Sequence, residues 1–130
     1  MPRTAQDVEN YLYRLNRSFD IDGETFIVQS SMSSGPPICL RVHEPILLAT
    51  VDIGAIPADE KKQLSLFRQL LLYNASELIH AAYALDGDEI VLAAGFPIEN
   101  LDANELAALL NDIDLALTRH IKTLRELAVE

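Results

Sequence analysis

The chain has 130 residues, 49% of them apolar, with 20 acidic against 10 basic side chains and a formal net charge of -10. That length suits one domain with a hydrophobic core of its own, needing neither metal nor disulfide support. A surface this negative repels phosphate backbones and anionic headgroups, and the basic residues are scattered from Arg3 to Arg125 rather than clustered, which excludes nucleic acid and membrane surfaces as partners.

Cys39 is the lone cysteine, so no internal disulfide can form and a reducing compartment is expected. The first residues lack the apolar core of a signal peptide, and no run approaches the ~20 apolar residues that cross a bilayer. A cytoplasmic protein is the expectation.

In chain order, Thr4 with Asp7 three residues later predicts a capped first helix, carried by Val8, Tyr11, Leu12 and Leu15 at helical spacing and ending near Ser18. Asp20-Ile21-Asp22-Gly23 reads as a turn. Three strands follow, over Glu24–Ser30, Ile38–His43 and Ile46–Ile53, with Ser31–Pro37 as a loop and Glu44-Pro45 as a tight link. Short links of this kind predict an antiparallel meander. Pro57 opens a second helix that ends at Asn74-Ala75. Its leucines, from Leu64 to Leu72, surround most of the circumference, which predicts burial on more than one side.

Leu78–Leu85 and Glu89–Phe96 flank Asp86-Gly87-Asp88, a strong hairpin signal. The last helix starts from the capping pair Asp102 and Glu105 and runs to about Ala128. Leu106, Leu109, Leu110, Ile113, Leu117, Ile121 and Leu124 form its apolar face, with Asp112 and Asp114 on the wet side. The resulting expectation is one α+β domain over residues 1–130, in the order αβββαββα, with helices packed on a mainly antiparallel sheet.

Chemistry-bearing residues are sparse. Cys39, Arg41 and His43 share a strand face, but His80 and His120 bring no second ligand at short spacing, so no metal site is expected. The serines around Ser31–Pro37 lack the Gly-x-Ser-x-Gly elbow of a nucleophile, and the isolated glycines form no phosphate or dinucleotide loop. Asp86, Asp88 and Glu89 lack EF-hand spacing and read as a solvated hairpin tip. His80, among Leu78, Ala82 and Ala84, reads as a hydrogen-bonded interior or interface histidine, with a pH-sensitive contact as the functional alternative. No catalytic residue, cofactor or metal is expected.

The second half carries a recognisable pattern: Leu70-Leu71-Leu72-Tyr73-Asn74, a strand ending Leu85-Asp86-Gly87-Asp88, then Ile90-Val91-Leu92, Phe96-Pro97-Ile98 and Leu101, closed by the long amphipathic helix. This resembles the type III secretion chaperone-like superfamily, meaning Tir-chaperone (CesT-type) proteins and the related YbjN family. The resemblance implies a non-enzymatic protein-binding module that acts as a homodimer, with an unidentified protein partner held as an extended segment. It places Leu66, Leu70, Tyr73, Leu78 and His80 near a subunit contact. The residues point the same way, since the second helix and the following strand carry more apolar surface than one sheet–helix core requires.

Phe26, Val28, Ile38 and Leu40 are candidates for the partner-binding surface or, equally, for the core. Three functions stay open: a YbjN-like adaptor or accessory protein, a dedicated type III secretion chaperone for an effector, and a small-ligand protein or enzyme. The last would need a pocket gathering His43, His80 or Asp52.

Overall fold

The computed structural model describes residues 4–31 and 35–128, so Met32 to Ser34 of the serine-rich loop lie outside the described residues. Helix α1 spans Ala5–Arg14 and starts as its sequence dictates. The Thr4 side chain accepts from the Asp7 N–H, and Asp7 in turn accepts from the Thr4 N–H at 2.8 Å. Val8, Tyr11 and Leu12 form its buried face. The helix stops at Leu15, and Asn16 turns the chain with φ +57.

The chain then forms a strand that the sequence reading had as a turn. Strand β1, Phe19–Asp22, pairs antiparallel with β2, Thr25–Val28, through a turn at Gly23, whose φ of +63 suits glycine. Strands β3, Ile38–His43, and β4, Ile46–Ala55, complete a meander. Helix α2, Glu60–Ser76, is capped by Asp59, which accepts from the Lys62 N–H at 3.0 Å. Strands β5, Ala81–Asp86, and β6, Glu89–Pro97, form the expected hairpin. Helix α3, Ala103–Ala128, is about 39 Å long at ~1.5 Å per residue.

The strands make one antiparallel sheet in the order β1-β2-β3-β4-β6-β5. The predicted α+β order therefore holds, with β1 added in front of it. β4 is long enough to pair with β3 at one flank and β6 at the other, and its register slips between Asp52 and Gly54.

Alternation along the strands defines two faces. Phe26, Val28, Ile38, Leu40, Leu47, Ala49, Val51, Ile53, Tyr83, Ile90 and Leu92 are buried on one face, while their sequence neighbours are partly or wholly exposed on the other. Helix α3 fills the buried face with Leu106, Leu109, Leu110, Ile113, Leu117, Ile121 and Leu124. α1 is tied to the start of α3, where the Tyr11 hydroxyl donates to the Leu101 carbonyl at 3.1 Å. α2 crosses from β4 to the far edge of the sheet and lies beside β5.

Candidate protein-binding surfaces

The sheet has two edges, and they are finished differently. At the β1 edge, the Gln29 N–H donates to the Ser18 carbonyl at 2.9 Å. Bonded and non-bonded pairs alternate in an antiparallel ladder, so the backbone groups of Phe19 and Ile21 point away from β2. They have no partner among the described residues. The side chain of Ile21, 54% exposed, faces the same side as Phe26.

Beside this edge runs a cleft of about 470 Å³ between the N-terminal turn of α1 and the β1–β2 hairpin. Ile21, Phe26 and Val42 give it an apolar lining, and Glu9, Glu24 and Glu44 supply its charge. Among the described residues no lysine or arginine lines it, and Arg41 nearby is bound to Glu24 at 3.2 Å. The hairpin is held in place at its stem. Asp114, on α3, takes Arg17 at 2.6 Å and the Ser31 N–H at 3.0 Å, while Arg17 also donates to the Gln29 carbonyl. Both ends of the hairpin are thus pinned to α3, and its tip reaches out to the cleft.

The β5 edge is covered at Tyr83 and at its start. The Asn74 side-chain amide accepts from the Tyr83 N–H at 2.7 Å and donates to the Tyr83 carbonyl at 3.1 Å, standing in for a neighbouring strand. Asp112 accepts from the N–H groups of His80 and Ala81 at 2.9 and 3.1 Å. These bonds shorten the predicted strand: Leu78–His80 is drawn out of the ladder, and β5 begins at Ala81.

Alongside this edge, α2 turns an apolar face outward. Leu64 is 71% exposed and Leu71 68%, with Leu72 and Leu85 also open. Leu64, Phe67, Arg68, Leu71 and Leu72 line one depression, and Phe67, Leu71, Ala84 and Leu85 help line the next, so the apolar surface runs unbroken from helix to strand.

A family model described as CesT_Tir_1 matches residues 1–130. The chain belongs to the CesT_Tir_1 family. No curated protein matches it in sequence. Among solved structures, it is similar to a chain of the heterodimeric ExoU–SpcU complex from the type III secretion system of Pseudomonas aeruginosa. The two are 22% identical, over 93% of this chain and 97% of that one, with a TM-score of 0.69. YbjN from E. coli is 15% identical, with 94% and 90% covered and a TM-score of 0.69. The Yersinia pestis type III secretion chaperone SycH, in complex with a stable fragment of YscM2, is 18% identical, with 88% and 97% covered and a TM-score of 0.59. At these identities the likeness is one of fold.

Placed on this CesT_Tir_1 fold, the residues singled out from sequence separate. Leu66 and Leu70 are buried within the chain, 0% and 5% exposed, whereas Tyr73 and Leu78 are half-buried and His80 is exposed. The outward leucines of α2 are Leu64, Leu71 and Leu72, on the opposite side of the helix from Leu66 and Leu70. The expected burial of α2 on several sides is therefore not met within one copy.

Phe26, Val28, Ile38 and Leu40 are all buried beneath the helices, so of the two expectations the core is where they lie, with Phe26 alone reaching the cleft. His80 rests against Phe96 at 5.4 Å between rings and is not interior; the buried histidine is His120. Asp114 is not on a wet face but 7% exposed, and Asp112 is half-buried. Among the described residues no group of three or more His, Cys, Asp or Glu is arranged to hold a metal, and no helix is long and apolar enough to cross a membrane. Cys39 is half-buried on the open sheet face, its thiol pushed up by burial and by Asp52.

Proposed function

We propose that this chain is a non-enzymatic, chaperone-like protein-binding module. It takes an extended segment of another protein along β1 and into the cleft under α1, and it pairs with a second copy through the α2–β5 face. The observation that carries the first part is the coincidence of an unpaired strand edge with a cleft. A segment adding to β1 bonds the free backbone groups of Phe19 and Ile21, and its alternate side chains drop towards Ile21, Phe26 and Val42. Glu9 and Glu44 favour a segment that carries lysine or arginine beside its apolar residues, Glu24 being already paired with Arg41. The SycH structure, in which a chaperone of this fold holds a fragment of another protein, supports the same use here.

Pairing of copies rests on the exposed leucines of α2 and their continuity with Leu85. Because Asn74 and Asp112 occupy the backbone of Tyr83 and the start of β5, the pairing is side chain against side chain and not one continuous sheet. Tyr73, Leu78 and His80 lie at its margin, with Leu66 and Leu70 as its support from within. The biological role closest to this reading is an adaptor or accessory protein like YbjN. A dedicated effector chaperone is the alternative, and a gene for a secreted partner beside this one would favour it.

Ile21→Pro tests the strand addition. It removes an N–H that faces away from β2, so the fold should lose no more than about 1 kcal/mol. Capture of protein partners by the tagged chain should be lost in this variant, and capture equal to the wild type would overturn the reading. Light scattering tests the pairing: twice the 14.4 kDa chain mass is expected at tens of micromolar, and a single-chain mass would remove it.

A further inference from the structure

His120 lies where α2, β5 and α3 meet and is 2% exposed. Its ring stacks on Tyr73, with centroids 3.7 Å apart and planes within 9°. Nδ1 is 2.8 Å from the Tyr83 hydroxyl. Nε2 is buried with no hydrogen-bond partner among the described residues. It faces the Glu77 carboxylate at 3.7 Å, outside hydrogen-bond reach.

The charged and titratable groups around the ring come from each packed element: Tyr73 and Glu77 from α2 and its end, Tyr83 from β5, and Arg119 from α3, itself 3.7 Å from Glu77. The arrangement selects a tautomer. With hydrogen on Nε2, the ring offers a donor to the Glu77 carboxylate and accepts the Tyr83 proton on Nδ1. The other tautomer would aim a lone pair at that carboxylate. Burial and the neighbouring Tyr73 raise the Tyr83 pKa, so the phenol stays protonated and can donate.

We propose that His120 is a proton-operated latch: neutral, it clamps the C-terminal half of α2 onto β5 and α3 through Tyr73 and Tyr83, and charged, it lets that half go. A proton taken from solvent goes to Nδ1, the acceptor of the Tyr83 bond. Tyr83 must then turn its own hydrogen away, and the resulting cation sits in an enclosed site where the partly exposed Glu77 carboxylate, 3.7 Å from Nε2, offsets only part of the cost of burial. α2 is the element that yields, because it buries only Leu66 and Leu70 completely, whereas α3 is anchored along its whole length. Releasing α2 also releases the apolar face it carries, although the latch itself does not depend on that face pairing copies.

Burial holds the His120 pKa below its ordinary 6.5, with Glu77 opposing it. The unfolded or opened chain therefore takes up the proton first as pH falls. Latching is complete above about 6.5 and is lost progressively below it, towards the folded-state value.

The test is amide hydrogen exchange in α2, followed from about pH 7.5 to about pH 5 and corrected for intrinsic exchange, with nitrogen NMR of the His120 ring in the same samples. Protection of α2 relative to α3 should fall about ten-fold for each unit by which the folded-state pKa lies below the ordinary one. In His120→Gln that loss should vanish. In Glu77→Gln the ring should titrate at still lower pH, because the opposing carboxylate is gone. Equal pH dependence in wild type and His120→Gln would overturn the latch, as would an unmoved midpoint in Glu77→Gln. Should His120→Gln not fold, the wild-type ring titration and the Glu77→Gln shift decide alone.

Discussion

The two edges of this sheet are finished in opposite ways. At β5 the backbone of Tyr83 and the N–H groups of His80 and Ala81 are satisfied by borrowed side chains, Asn74 and Asp112, while leucines are left in the open beside them. At β1 the leucines are absent, the backbone of Phe19 and Ile21 has no partner among the described residues, and a cleft with an acidic lining opens alongside. A covered edge with a greasy flank suits a folded partner surface. An open edge with a cleft suits an extended chain. The shortness of β1 and the charges of Asp20 and Asp22 disfavour indiscriminate pairing at that edge.

Mutations can break this contrast, and the largest effects are expected where a side chain serves the core. Leu66→Ala should destabilise the chain by about 3 kcal/mol, the usual cost of emptying a fully buried leucine site, read from urea denaturation. An effect under about 1 kcal/mol would mean that α2 is not docked as described.

Asp114→Ala should cost about 2 kcal/mol, less than a fully enclosed pair, because Arg17 can swing into solvent. It should also free both ends of the β1–β2 hairpin, measured as faster amide exchange at Val28 and Gln29 with α2 unchanged. Asn74→Ala should cost about 1 kcal/mol and strip the cover from the Tyr83 backbone. With the β5 edge then resembling β1, aggregation should rise in light scattering, and a variant as monodisperse as the wild type would show that Asn74 is not what guards the edge.

Smallest in stability is Leu71→Asp, within about 0.5 kcal/mol of wild type because the side chain is already in water. Its expected effect is on assembly, where the mass should fall to a single chain. Leu66→Ala and Leu71→Asp together thus separate the inner and outer sides of one helix.

Much of the framework was legible from local signals. The capping pairs Thr4/Asp7 and Asp102/Glu105, the Asp86–Asp88 turn and the apolar spacing of α3 act within a few residues and need no tertiary context. Strand β1 was missed because Asp20 and Asp22 alternate with Ile21 next to a glycine, a pattern that a turn and a charged edge strand share. The candidate site was read at the level of segments, and only the folded chain sorts its residues into enclosed and outward-facing ones. Five leucines encircle α2, and nothing in their spacing says that Leu66 and Leu70 face inward while Leu64, Leu71 and Leu72 face out.

The buried polar groups lay further from reach. Asp114 goes inside because Arg17, 97 positions earlier in the chain, arrives to pair with it, and His120 because Tyr73 and Tyr83 close over it from two other elements. By itself, then, the sequence determined where helices, turns and most strands occur, because those choices follow from hydrogen bonding and periodicity between near neighbours. Only the tertiary structure decided which edge stays open, which leucines are left over and which charged residues are enclosed. Those outcomes depend on which distant segments happen to face one another once the sheet is assembled.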